Sequence, residues 1–340
     1  MKGISLPQPG RIEIVDIPEP ALGPDDVLVE VGYVGLCGSD LLAYRGLSAM
    51  VTYPRIPGHE VGGVVAAVGA AVPKRVRAGV RVTVSPYSEC GACPACRAGR
   101  TNTCRLNQTL GVQRDGALTE RIAIHHSKVY ASDSLSMDEL ALVEPLSVGS
   151  HAVTRGRVRD GDTVLVIGCG AVGLGAIAAA ARAGATVMAA DIDEAKLALA
   201  AKLGAQHTVN SANDDPAARV AAITNSEGVS VAIEAVGMPA TWRLALDSVS
   251  VAGRVVVIGY AKEPASIDTR LVIGKELDLL GSRNALGEFA SVIATLEERT
   301  LPFTDLITRV VPFETAAQAF ADWSASPQAF TKILVEVKPG

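Results

Sequence analysis

Four cysteines fall in one short stretch, Cys90, Cys93, Cys96 and Cys104, with the spacing C-x2-C-x2-C-x7-C. Thiolates this close suit one tetrahedral Zn²⁺, whose sulfur ligands sit about 2.3 Å from the ion. Gly91, Pro94 and Gly99 can supply the tight turns such a lobe needs. With all four ligands from protein, no position remains for a substrate, so this site reads as structural. Disulfides are the competing arrangement, but adjacent C-x2-C steps make strained bridges and nothing else in the chain suggests secretion. A second constellation is sparser. Cys37-Gly-Ser39-Asp40 follows a strand-like run, and Gly58-His59-Glu60 opens another. A thiolate, an imidazole and a carboxylate from separate loops can make an open Zn²⁺ site with room for a substrate oxygen. Each residue alone is ambiguous, since a lone cysteine is usually core and a single His-Glu pair usually lies at the surface.

A third pattern concerns a nucleotide. Thr163-Val-Leu-Val-Ile runs into Gly168-Cys-Gly170-Ala171-Val172-Gly173 and then into an apolar helical stretch. The order strand, G-x-G-x-x-G, helix is the context in which this motif becomes informative. Gly168 permits a tight turn, Gly170 lets backbone approach a pyrophosphate, and Gly173 lets helix pack on sheet. Ala171 and Val172 complete the loop at the helix N-terminus, where free N–H groups suit phosphate. The next strand-like run, Thr186–Ala190, ends at Asp191, a carboxylate placed for ribose hydroxyls. Ile192 follows it where an arginine would favour a 2′-phosphate, so the cofactor expected is NAD. Cys169 reads as a small packing residue.

These patterns need two kinds of scaffold. Residues 1–150 are rich in Val, Gly and Pro, with close-set β-like runs at Val27–Val34, Val61–Val68 and Val80–Ser85. From His151 onward, strand-like runs (Thr163–Ile167, Thr186–Ala190, Val229–Ala235, Arg254–Ile258, Leu277–Leu280) alternate with Ala-rich helical segments, the signature of βαβ units on a parallel sheet. A helical stretch, Glu288–Glu298, and a closing strand, Thr331–Lys338, follow. The 340 residues suffice for two domains, and 49% hydrophobic with 20% charged content is ordinary for a globular chain. A net charge of -5 argues against a nucleic-acid partner. Thr163–Ala181 carries no charge and would mimic a membrane span, but its glycines give strand, turn and helix instead. Met1–Pro20 lacks the apolar core of a signal peptide, so a cytoplasmic, membrane-free enzyme is expected.

In this ordered set (Cys37-Gly-Ser-Asp, Gly58-His-Glu, the cysteine lobe, Glu144-Pro-Leu-Ser-Val-Gly, the glycine motif and Asp191) the chain resembles the zinc-dependent medium-chain dehydrogenases, in particular their polyol (sorbitol) dehydrogenase branch. The resemblance spans essentially the whole length. It implies an α/β fold: a GroES-like, partly open β-barrel catalytic domain from 1–150 and 286–340, and a Rossmann cofactor domain from 151–285. It implies two Zn²⁺ per chain, one structural on the four cysteines and one catalytic at Cys37, His59 and Glu60. Glu144, which is cysteine in alcohol dehydrogenases of the family, would lie beside the catalytic ion, bound directly or through water, and points to polyol-type substrates. Ser39 would take the alcohol proton. Many relatives carry histidine where this chain has Leu42, so the onward relay would use cofactor hydroxyls, water or a residue such as Tyr44. Ser282, Arg283 and Asn284 follow the last cofactor-domain strand as contacts to cofactor or cleft. The activity implied is NAD⁺-linked oxidation of a secondary alcohol of a polyol, sugar or sugar acid, in a homodimer or homotetramer joined through Arg254–Tyr260 and Leu277–Leu280. An amino-alcohol (threonine-type) dehydrogenase is the enzymatic alternative. A redox-sensing or zinc-ribbon binding module is the non-enzymatic one. His125 and His126 read as surface residues, His151 as a packing or hydrogen-bonding residue, and His207 as structural at a helix end. Arg55 either faces solvent or meets a substrate carboxylate or phosphate.

Overall fold

Alternating valines make the run Asp26–Gly35 a strand with one buried face, because β-branched side chains fit a pleated, half-buried surface. Val27, Val29, Val31 and Val34 are all fully buried, and each such side chain contributes about 1.5–3 kcal/mol on burial. In the computed structural model, which describes every residue except Lys262, Pro339 and Gly340, this strand is the spine of one of two compact units. That unit comprises Met1–Pro145 and Phe289–Gly340.

Among its described residues, strands run in the order Ile307–Pro312, Lys332–Glu336, Asp26–Gly35, Glu60–Val68, Arg81–Val84, Val129–Ala131. The strand Arg121–His125 pairs off this path with the first half of Asp26–Gly35. Pairing is antiparallel except between Ile307–Pro312 and Lys332–Glu336. Irregularities in register at Leu28/Val29 and Val31/Tyr33 let Asp26–Gly35 serve different partners along its length. The core gathers Val61, Val65, Val82, Val84, Ile122 and Ile124 with Phe320 of the helix Ala316–Ala325. Gly62 is required by close approach: a Cβ there would lie 1.7 Å from the Met137 carbonyl oxygen, at the start of the helix Met137–Ala141.

The other unit, Leu146–Glu288, holds a parallel sheet ordered His207–Asn210, Thr186–Asp191, Thr163–Ile167, Val229–Glu234, Val249–Val257, Asp278–Gly281. Numbered along the chain this is 3-2-1-4-5-6, the doubly wound Rossmann order. Its central strands are buried almost throughout, as expected where helices cover both faces of a parallel sheet. The expected domain breaks are at 150/151 and 285/286, whereas the compact units part at 145/146 and 288/289. The first break falls inside the helix Val143–Arg155, where composition carries no signal. The strand His207–Asn210 was not expected, and His207 opens it rather than ending a helix.

Candidate active site

Register brings the sparse constellation together. Gly35 and Glu60 are direct partners in the antiparallel pair, so Cys37, two residues past Gly35, lies beside His59 and Glu60. Cys37 caps the helix Gly38–Tyr44, and its backbone N–H donates to Asp40 Oδ2 at 2.9 Å. Gly58, at φ +99°, turns the chain so that His59 faces inward. Gly35 has no side chain because the Glu60 carboxylate fills that space: a Cβ would lie 2.0 Å from Glu60 Oε2. Ligand atoms of Cys37, His59 and Glu60 all lie within 4.8 Å of one another.

The surroundings of this trio are buried and strongly negative. Burial works against a charge on His59, but Cys37, Asp40 and Glu144 outweigh it and hold the imidazole well above its ordinary pKa. Burial likewise raises the carboxyls of Asp40 and Glu144, with Glu60 adding to both. His59 Nδ1 is buried, 3.9 Å from Asp40 Oδ1, and has no hydrogen bond among the described residues. Excess negative charge and an orphaned ring nitrogen beside a thiol fit a soft-to-borderline divalent cation such as Zn²⁺.

Three residues that the sequence did not single out complete the surroundings. Lys332 is 4% exposed, and its Nζ donates to both Glu60 oxygens (2.7 and 2.6 Å) and to the Leu36 carbonyl (3.1 Å). A carboxylate has about four lone-pair sites, so Glu60 can accept from Lys332 and still face a metal. The buried Tyr87 hydroxyl donates to Glu144 Oε1, which lies outside the close trio. Asp40, seen in the sequence only as part of a motif, both caps the helix and faces His59. Lys332 is separated from Glu60 by 272 positions, and no local signal could have paired them. Ser39 Oγ is buried without a hydrogen bond among the described residues. Tyr44 is partly buried and packs its ring on Phe320 at 5.5 Å, against the core of this unit.

The cysteine lobe is geometrically closed. Sγ of Cys93 lies 3.5 Å from that of Cys96 and 3.9 Å from that of Cys104. A tetrahedron with bonds of about 2.3 Å has edges of about 3.8 Å, so these spacings match one ion and exclude S–S bonds. Backbone N–H groups of Cys90 and Leu106 donate to Cys104 Sγ, and that of Cys93 to Cys90 Sγ, each at 3.3 Å. Among the described residues none of the six cysteines is bridged.

In the parallel-sheet unit, Gly168 takes φ +96°, and a Cβ on Gly173 would lie 1.8 Å from the Gly168 carbonyl oxygen. Gly170, which caps the helix Ala171–Arg182, has open space where a Cβ would point. Ala171 and Val172 form the first helical positions. Asp191 Oδ2 accepts from Cys169 N–H at 2.6 Å, while Oδ1 accepts from Ile192 and Asp193 N–H at 2.7 and 3.0 Å. The carboxylate thus ties the glycine loop to the end of the second strand, and Ile192 is exposed beside it. Ser282 Oγ is buried without a partner among the described residues, and Arg283 follows the strand Asp278–Gly281. His151 is buried with Nδ1 2.8 Å from Glu288 Oε1.

Two sequence descriptions match: "Alcohol dehydrogenase GroES-like domain" over residues 23–134 and "Zinc-binding dehydrogenase" over 171–298. An uncharacterised zinc-type alcohol dehydrogenase-like protein of Haemophilus influenzae is 37% identical over 98% of each chain. The chain belongs to the zinc-binding dehydrogenase family. A sorbitol dehydrogenase of Bacillus subtilis is 38% identical over 83% of this dehydrogenase and 81% of its own length. An L-threonine 3-dehydrogenase of Mesorhizobium japonicum is 32% identical over 92% of each. The crystal structure of galactitol-1-phosphate dehydrogenase from Escherichia coli superposes with a TM-score of 0.91 at 30% identity, covering 99% of this chain and 100% of that one. The dehydrogenase is therefore an oxidoreductase of the zinc alcohol/polyol class, and the zinc-ribbon binding module is set aside. Among its described residues no helix is long and apolar enough to cross a membrane, and Thr163–Ala181 is strand, turn and helix.

One further cluster, Asp25, His125 and His126, brings possible ligand atoms within 4.8 Å at the surface of the dehydrogenase. His125 Nδ1 accepts from Ser127 N–H at 3.2 Å, an engagement that competes with ligation at that nitrogen.

Proposed function

We propose that this dehydrogenase oxidises a secondary hydroxyl of a polyol, sugar or sugar acid to the ketone, with NAD⁺ as acceptor. The observation that carries the reading is the donor set gathered by register: Cys37, His59 and Glu60 side by side, with the Glu144 carboxylate held close by Tyr87. Cys37, His59 and Glu60 would hold the catalytic Zn²⁺, and Cys90, Cys93, Cys96 and Cys104 the structural one. The bound catalytic ion supplies Lewis acidity to a substrate hydroxyl, easing loss of its proton near neutral pH. Ser39, whose hydroxyl is buried without a hydrogen bond among the described residues, would receive that proton. Lys332 fixes the Glu60 carboxylate, and Tyr87 fixes that of Glu144, so that both oxygen donors are oriented before substrate arrives. Gly168, Gly170, Ala171, Val172 and Gly173 would cradle the pyrophosphate, with Ser282 and Arg283 as further contacts. Asp191 beside the uncharged Ile192 supports NAD over a 2′-phosphorylated cofactor. NAD⁺ held by these residues would supply the acceptor for the hydride.

Relatives named for sorbitol and galactitol 1-phosphate support a polyol substrate, and one named for threonine keeps an amino alcohol as the competitor. The test is NADH absorbance with zinc-loaded protein across polyols, aldonates, polyol phosphates and threonine. Turnover of a polyol or its acid or phosphate, with threonine inert, is expected. Turnover of threonine alone would overturn the reading. The exposed Val251 and Ile273 (70% and 78%) near the edge strand Asp278–Gly281 support a homo-oligomer built through the cofactor unit.

A further inference from the structure

One arginine, on a turn packed against the segment that leads to His59, has no anionic partner among the described residues. Arg114 sits on the turn between Leu110 and Gly116, and that turn is clasped against the segment leading to His59. Gly116 N–H donates to the Ile56 carbonyl at 2.7 Å, and Ala117 N–H to that of Gly58 at 2.9 Å. The contact is so close that a Cβ on Gly111 would lie 2.6 Å from Gly58 N, and one on Gly116 2.4 Å from Gly58 O. On its other side the Arg114 guanidinium reaches the carbonyl of buried Pro86 at 3.5 Å. Pro86 directly precedes Tyr87, whose hydroxyl holds Glu144. Arg114 is thus wedged between the two backbone segments that deliver His59 and the Glu144 partner.

Its charge is unmatched there. Among the described residues no carboxylate lies in ion-pair range of Arg114, its Nε is buried without a hydrogen bond, and the Pro86 contact is at the limit of hydrogen bonding. Burial has already lowered its pKa. The neighbouring acid, Asp115, is spent elsewhere: Oδ1 accepts from Arg55 at 3.0 Å and from Ile56 N–H at 3.1 Å. Arg55, which the sequence offered as a substrate contact, is therefore neutralised, whereas Arg114 is not. A half-buried arginine presents a planar fork of donors suited to carboxylate or phosphate, and leaving it unpaired is costly.

We infer that Arg114 binds an anionic group, a carboxylate or a phosphate, at the end of the polyol remote from the oxidised carbon. The inference rests on the polyol reading above and narrows it to sugar acids or polyol phosphates. The test is kcat/KM for a hexitol, the matching hexonate and the matching hexitol 1-phosphate on wild type, Arg114→Gln and Arg114→Lys, with melting curves confirming that each variant is folded. Arg114→Gln should lose about 10- to 100-fold on the preferred anionic member, chiefly through KM. That loss should exceed its loss on the neutral hexitol at least tenfold, and Arg114→Lys should recover part of it. Comparison of hexonate with phosphate identifies the anion. Equal losses on neutral and charged members, or none on the charged ones, overturn the inference while leaving the dehydrogenase reading in place. Calorimetric titration of the hexonate and the hexitol phosphate into zinc-loaded, NADH-saturated protein reads the same site without turnover. Binding of one of them by wild type that weakens in Arg114→Gln supports it, and equal binding by both proteins, or none by wild type, overturns it.

Discussion

At the scale of single residues, the buried pair Lys332–Glu60 shows how the site is fixed. Three hydrogen bonds satisfy the ammonium, and both carboxylate oxygens are engaged. Removing one partner of such a pair leaves the other buried and uncompensated, which costs about 3–5 kcal/mol. Lys332→Met should therefore lower unfolding free energy by that order in urea melts, and adding Glu60→Gln should restore part of it. Additive losses in the double variant would contradict the pairing. On the proposed assignment, the cysteines should separate by role. Cys37→Ala should abolish turnover with the melting temperature near that of the parent, whereas Cys93→Ala should lower the melting temperature because metal binding there is folding energy. Equal melting temperatures for Cys93→Ala and the parent would contradict the structural assignment. The chemistry-bearing residues with short-range spacing, Cys37 to Asp40 and Cys90 to Cys104, were legible in the sequence. Lys332 and Tyr87 were not, because their partners are distant in the chain and either residue alone looks like ordinary surface or core.

At the scale of elements, two of the three glycines of the nucleotide loop, Gly170 and Gly173, should behave differently. Gly173→Ala puts a methyl against the Gly168 carbonyl, so it should destabilise by about 1–3 kcal/mol through overpacking. Gly170→Ala meets no protein atom within 4 Å, so its effect should appear as weaker NADH binding with little change in melting temperature. Calorimetry and melting curves on the two variants check the contrast. In the other unit, Tyr33 and Glu336 are cross-strand partners, and the Tyr33 hydroxyl donates to Glu336 Oε1 at 2.7 Å. That hydrogen bond, then burial, pushes the Tyr33 pKa up to about 12. Folding thus favours the protonated phenol: its contribution of about 1 kcal/mol or less is complete below pH ~10 and lost as pH rises through ~12. Tyr33→Phe should show a shallower fall in stability over that window. Apolar alternation made the strand Asp26–Gly35 readable, and a continuous apolar run ahead of the glycine motif did the same for Thr163–Ile167. His207–Asn210 and Ile307–Pro312 were not, since both are edge strands that carry few buried side chains.

At the scale of the whole molecule, a β-rich unit carrying two sets of metal donors and a doubly wound unit carrying a nucleotide loop occur in one chain. That pairing was legible because Cys37 and His59–Glu60 flank strand ends, while the four cysteines share one connection between strands, so local spacing marks both sets. The exact breaks were not, because one helix runs through the first of them. On the proposed zinc dehydrogenase route, turnover would require an electrophilic cation at Cys37, His59 and Glu60 in addition to one in the cysteine lobe. The most direct measurement is zinc content by elemental mass spectrometry on active protein, with Cys37→Ala alongside. About two zinc ions per chain are predicted for the parent and about one for the variant, with activity lost in step. One ion per chain in fully active parent, retained unchanged in Cys37→Ala, would contradict the account.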